Sequence, residues 1–139
     1  MKKRNRFLVM VLAFAVPFVC VGCVGGDTTK EDPSGVITYE QISGAQAKAL
    51  MESESGYIII DARTQSEYDE GHIPGAILIP EYEIANRAEN ELPDKNQLIL
   101  VYCRSGRRSK IAAEELVKLG YTNVKEFGGI IDWEYEIVK

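Results

Sequence analysis

The chain has 139 residues, 45% of them apolar, with 16 Lys and Arg against 21 Asp and Glu for a net charge of −5. That length is one domain's worth, and the negative balance excludes nucleic acid as the main partner, because phosphate backbones are bound through a basic footprint. One His and three Cys exclude a multi-histidine metal site and a four-thiolate zinc site, so no metal and no other cofactor is expected.

At the N-terminus, Lys2-Lys3-Arg4-Asn5-Arg6 precedes an apolar run from Phe7 to Val21. A basic start, about 7–15 apolar residues and a small residue before the cut describe an export signal. The run is interrupted by Pro17 and is shorter than the roughly 20 residues that a membrane span needs. It closes on Val21-Gly22-Cys23, which resembles the lipobox of bacterial lipoproteins, with Cys20 standing where Leu is usual. The resemblance implies a lipoprotein-type signal peptide over residues 1–22 and a lipid on the Cys23 sulfur. The protein would then be exported and lipid-anchored to the bacterial membrane, on its extracytoplasmic side. Each acyl CH₂ buried contributes about 0.8 kcal/mol, so several chains hold firmly.

Residues 23–35 are rich in Gly, Pro and charge, a composition that buries no core and suits a flexible tether to a domain over residues 36–139. Loss of residues 1–22, which hold four basic and no acidic side chains, takes the net charge to −9. With Cys20 removed and Cys23 acylated, Cys103 is left as the one free thiol. A Cys-x-x-Cys redox pair is thereby excluded.

Along the domain, Val36-Ile37 predicts a brief strand. Ser43 and Gln46 have capping-box spacing, opening a helix that reaches about Glu52. Tyr57–Asp61 reads as a strand buried on both faces. Thr64 and Glu67 form a second capping-box pair over a short acidic helix stopping near Gly71. Ala76–Ile79 is a strand closed by Pro80, followed by a polar helix from about Tyr82 to Glu91. Gln97–Tyr102 is the second strongly apolar strand. Ser109–Leu119 places Ala112, Ala113, Leu116 and Val117 on one helical face, with Gly120 beyond its end. Val124–Phe127 is a last strand, and a terminal helix is expected after Gly128-Gly129, with Trp133 packing it down. Strands alternating with helices predict an α/β fold, a mostly parallel sheet covered by helices on both faces. Sites in such sheets lie at the carboxyl ends of strands, which singles out the loops after Asp61 and after Tyr102.

The second of these loops carries the chemistry. In Cys103-Arg104-Ser105-Gly106-Arg107-Arg108-Ser109 the thiol precedes a helix start, three arginines lie within five residues of it, and no carboxylate occurs in sequence between Lys95 and Lys110. Each feature favours thiolate, and a free Cys near pKa ~8.5 falls to roughly 3.5–7.5 in such settings. Gly106 lets successive N–H groups turn inward as an anion nest, and arginine forks clamp oxyanions with paired donors. Cations at a helix N-terminus are unfavourable by about 0.3–1 kcal/mol each, so a bound anion accounts for them better than a solvated surface does.

This loop resembles the active-site loop of single-domain rhodaneses, the thiosulfate sulfurtransferases. Three further segments agree: Asp61-Ala62-Arg63 after a strand, Glu67-Tyr68 followed by Gly71-His72-Ile73-Pro74-Gly75-Ala76, and Gly128-Gly129 ahead of Trp133. The resemblance covers residues 36–139 and implies a five-stranded, mostly parallel sheet with flanking helices. It also implies a double displacement, in which the Cys103 thiolate takes the outer sulfur of thiosulfate, releases sulfite and becomes a persulfide. A thiol or cyanide acceptor then removes that sulfur. By family position Arg104 and Arg108 are the sulfonate binders, Arg108 counting with Cys103 as catalytic. Ser105, Gly106, Arg107 and Ser109 complete the substrate cradle, whose N–H groups would stabilise the persulfide. Phosphatases of this fold resemble Cys-x₅-Arg; the shorter Cys103-to-Arg108 spacing fits sulfur carriage.

Chemistry started by an ionised thiolate needs no general base, so His72 is expected to be structural, as are Asp61 and Arg63, which would fix neighbouring loops. The stretch from Glu67 to Asp94 holds eight carboxylates against Arg87 alone and is expected to be a solvated face. The competing functional class is a non-catalytic rhodanese-fold binding, sulfur-sensing or carrier module at the cell envelope; the intact Cys103 and its arginines favour catalysis.

Overall fold

The computed structural model describes residues 38–139. The signal segment, Cys23, the tether and the expected strand at Val36-Ile37 lie outside the described residues. In chain order the elements are β1 (Glu40–Gln41), α1 (Gly44–Ser53), β2 (Ile58–Asp61), α2 (Gln65–Glu70), β3 (Ala76–Leu78), a 3₁₀ turn (Glu81–Glu83), α3 (Ile84–Glu91), β4 (Ile99–Cys103), α4 (Arg107–Lys118), β5 (Val124–Gly129) and a second 3₁₀ turn (Ile130–Asp132). The strands form one five-stranded sheet in the order β1-β5-β4-β2-β3, and every pairing is parallel.

Both predicted capping boxes are present. The Ser43 hydroxyl accepts from the Gln46 N–H while Ser43 N–H donates to the Gln46 side chain at 2.8 Å, and Thr64 and Glu67 repeat the exchange at the start of α2. Each satisfies N–H groups that have no partner inside their helix. At the other end of α3, the Tyr121 hydroxyl reaches the carbonyls of Ala88 and Leu92 at 2.9 and 2.7 Å.

Period-two alternation along the central strand β4 decides the layering. Ile99, Val101 and Cys103 join Ile84, Ala88, Ala112, Ala113 and Leu116 from α3 and α4 on one face. Leu100 and Tyr102 join Ala47 of α1, Ile59, Ile73 and Phe127 on the other. All five residues of β4 are buried, and each aliphatic side chain so covered contributes about 1.5–3 kcal/mol. The strand therefore delivers the residue at its carboxyl end to a rigid, dry place.

The chain after β5 departs from the expected terminal helix. One 3₁₀ turn comes first, and then an extended tail in which Val138 pairs with His72 through two backbone hydrogen bonds of 2.8 Å. The reason lies in the side-chain period: Trp133, Tyr135 and Ile137 alternate with polar or smaller neighbours, a strand's spacing rather than a helix's. Trp133 packs on Phe127 and Tyr135 on Trp133, with ring centroids 5.6 and 4.8 Å apart. Among the described residues, no helix is long and apolar enough to cross a membrane.

Candidate active site

β4 ends on Cys103, and α4 begins at Arg107, two residues before the expected start. Between them the backbone turns through Gly106, whose φ of +95° is one that L side chains rarely adopt. That turn aims the Gly106 N–H at the Cys103 Sγ, 3.1 Å away. Cys103 is 1% exposed. Burial is the largest single influence on the thiol and pushes it up. The Ser109 hydroxyl and the N–H groups of Ser109, Ser105 and Gly106 together outweigh it and hold the thiol below its ordinary value. The thiolate is thus stabilised chiefly by loop N–H groups and one hydroxyl.

The loop rests on β5. The pairing register slips between Val101 and Cys103, so that Cys103 lies opposite Gly129. A Cβ on Gly129 would stand 2.2 Å from the Arg104 carbonyl oxygen and 2.6 Å from the Ser105 Cα, so the cradle can close only over a glycine.

Two carboxylates reach this loop that the local sequence does not bring to it. Glu126 of β5, 3% exposed, accepts from the Ser109 hydroxyl at 2.6 Å and from the Gly128 N–H at 2.8 Å. A hydroxyl has one hydrogen, and Ser109 Oγ also lies 3.1 Å from the Gly106 carbonyl oxygen, so its proton is not reserved for the thiol. A detectable signal existed: Glu126 shares the inward face of β5 with Val124, an unusual place for a carboxylate.

Glu67 of α2 is the second. Its Oε2 and Oε1 accept from the two terminal nitrogens of Arg108, both at 2.7 Å. Hydrogen bonding from Arg108, then from Thr64, holds the Glu67 carboxyl at about 2 against the ordinary 4.5. Arg108 is correspondingly pushed up, the thiolate and Glu81 adding to the effect of Glu67. Of the three arginines, Arg104 and Arg107 are exposed, as is Ser105, and Arg108 is half-buried and already paired.

The remaining sequence candidates lie elsewhere. Asp61 and Arg63, 0% and 5% exposed, pair through two guanidinium nitrogens, with Nη2 to Oδ2 at 2.6 Å. The Tyr102 hydroxyl donates to Asp61 at 2.6 Å and accepts from Ile73 N–H, while Arg63 also holds the Gly71 carbonyl. Burial, then Asp61, pushes the Tyr102 phenol far up. This network ties the ends of β2, β4 and α2 together on the α1 side of the sheet, opposite the thiol. His72 stacks on Tyr68 at 3.7 Å, and its Nδ1 lies 3.0 Å from the Tyr68 carbonyl oxygen. Most of the acidic stretch is a solvated face, with Asp69, Glu70, Glu89, Glu91 and Asp94 exposed; on it Arg87 pairs with Glu83 and Glu91 and Lys95 with Glu89, and only Glu67 turns inward to Arg108.

The site is thus a buried thiol facing the N–H groups of a tight loop, at the carboxyl end of a parallel strand and ahead of the helix start that carries Arg108, the place where α/β sheets carry their ligand sites. Residues 43–136 match the rhodanese-like domain family, and the chain belongs to that family. It is 44% identical over 73 residues to thiosulfate sulfurtransferase PspE of Escherichia coli (strain K12), which covers 52% of this chain and 70% of that protein. The putative sulfur carrier protein YrkF of Bacillus subtilis (strain 168) is 37% identical over 110 residues, 78% of this chain; the chain spans 57% of that longer relative. Among solved structures, a rhodanese with anions from E. coli superposes with a TM-score of 0.57 at 40% identity, covering 60% of this chain and 99% of its own. The fold is therefore the rhodanese fold, and the relatives it matches include proteins named as sulfurtransferases.

Proposed function

We propose that the chain is a sulfurtransferase that accepts sulfane sulfur from thiosulfate or a related donor as a persulfide on Cys103. The thiolate attacks the outer sulfur of thiosulfate. The bond from that sulfur to the sulfonate sulfur breaks, and sulfite departs with the electron pair. The loop N–H groups that face Cys103 Sγ would hold the resulting persulfide anion, and Arg104, Arg107 and Arg108 would draw the donor in. A thiol or cyanide then attacks the outer persulfide sulfur and regenerates the thiolate, a ping-pong sequence. The carrying observation is the geometry of a nearly inaccessible thiol, 1% exposed, at the end of a buried parallel strand with the Gly106 N–H turned onto its Sγ at 3.1 Å.

Incubation of the full chain with thiosulfate alone should add about 32 Da, one sulfur, at Cys103 and release sulfite, with cyanide restoring the original mass. A folded protein that gains no mass would instead be a binding module. For the anchor, we propose lipidation of Cys23, supported by the basic–apolar–small pattern of residues 2–23. Cys23→Ala should release the protein from membranes.

A further inference from the structure

Arg108 is the arginine whose charge matters most at the thiol, because Arg104 and Arg107 are exposed and their fields are weakened by solvent. Yet both terminal nitrogens of Arg108 are held by Glu67 at 2.7 Å, in a pair whose side chains are only 17% and 22% exposed. The helix cap does not account for a carboxylate here. In α1 the same box is completed by a neutral Gln46, whose Oε1 accepts from Ser43 N–H at 2.8 Å, while Glu67 makes the equivalent contact to Thr64 N–H at 3.1 Å. What Glu67 has and Gln46 lacks is a charge, and that charge meets Arg108.

We propose that Glu67 determines donor specificity: by neutralising Arg108 it disfavours the doubly charged thiosulfate relative to an alkyl persulfide carrying at most one charge. This rests on the sulfurtransferase reading and refines its substrate class. A sulfonate that seeks the Arg108 fork must displace Glu67 or remain beside its carboxylate, and the repulsion scales with the donor's charge. An alkyl persulfide carries no sulfonate and needs only the N–H ring around the sulfur. Both transfers balance. Thiolate and thiosulfate yield Cys103 persulfide anion and sulfite. Thiolate and alkyl persulfide anion yield the same enzyme species and the alkyl thiolate, with one S–S bond broken and one formed in each case. The half-buried Glu81, whose Oε2 is out of solvent with no hydrogen-bond partner among the described residues, also acts on Arg108 and adds to the penalty on a dianion.

The test measures the rate of sulfur gain at Cys103 of the full chain by quenched mass spectrometry, with thiosulfate and with 2-hydroxyethyl persulfide. Glu67→Gln keeps the cap and frees the Arg108 charge, so the thiosulfate-to-persulfide rate ratio should rise about tenfold. The ratio of Cys103 alkylation rates by anionic iodoacetate and neutral iodoacetamide should rise with it, a signature that a purely structural role would not produce. An unchanged or lower donor ratio overturns the assignment and makes Glu67 a positioning residue for Arg108. Should Glu67→Gln fail to fold, Arg108→Gln strands the carboxylate beside the thiol and should lower both ratios; no change there overturns it equally. If the unmodified chain gains sulfur from neither donor, the sulfurtransferase reading itself fails. If it gains sulfur and only the ratios stay fixed, the role of Glu67 alone is lost.

Discussion

Tyr102 and Cys103 are neighbours in β4, but their side chains leave opposite faces of the sheet and meet carboxylate–arginine pairs of different kinds. On the Tyr102 side, Asp61 and Arg63 form a pair whose side chains are 0% and 6% exposed, with further hydrogen bonds from Tyr102 and to the Gly71 carbonyl. On the Cys103 side, Glu67 and Arg108 form a pair that is 22% and 17% exposed. A dry pair with every partner in place cannot exchange one of them without stranding a buried charge. A pair at the rim can trade its carboxylate for an incoming anion, because water and the ligand share the cost of separation. Depth of burial, more than residue type, separates these two carboxylate–arginine pairs.

The largest effect that would test this division is Cys103→Ser. It should abolish sulfur gain while leaving the melting temperature near that of the parent protein; residual transfer would place the chemistry elsewhere. Next, Asp61→Ala leaves the Arg63 guanidinium uncompensated in the interior and should lower stability by about 3–5 kcal/mol in chemical denaturation. The fraction that remains folded should still gain sulfur at Cys103. Loss of transfer without loss of stability would move Asp61 from scaffold to site.

Tyr102→Phe removes the hydroxyl that links Asp61 to the Ile73 N–H and should destabilise by about 1–3 kcal/mol, again with transfer retained. The smallest effect concerns pH. Glu67 is depressed from 4.5 to about 2 in the folded chain, so the unfolded chain takes up this proton first as pH falls. The stability contributed by the pair is whole above about pH 4.5 and is lost between there and about pH 2. Thermal melts across that window should fall less steeply for Glu67→Gln than for the parent; identical slopes would mean that the pair contributes nothing.

Local patterns are legible because they are short. A capping box is read at a spacing of three residues, and both boxes open helices where Ser43 and Thr64 place them. The Cys103 loop, with Gly106 at its turn, is also contiguous, and its position after a buried strand follows from the apolar run before it. The terminal segment is not a helix because Gly128-Gly129 signals a break without specifying the conformation of the chain beyond it; the alternation of Trp133, Tyr135 and Ile137 is the better guide. Most of the acidic stretch is the solvated face its composition suggests, with Asp69, Glu70, Glu89, Glu91 and Asp94 exposed. Composition counts charges without pairing them, however, and it could not single out Glu67, which reaches Arg108 from another element.

From the order of its residues alone, this chain specifies most of its helices and strands, their parallel arrangement and the loop that carries Cys103, since each depends on periodicities and turns that span a few positions. The company that the Cys103 thiol keeps was settled by packing. Glu67 stands 41 positions from Arg108 and Glu126 stands 17 from Ser109, and they meet only because strand order β5-β4-β2 sets α2 and β5 on either side of the Cys103 loop. Electrostatic partners act through space, where separation along the chain carries no information until the sheet is assembled.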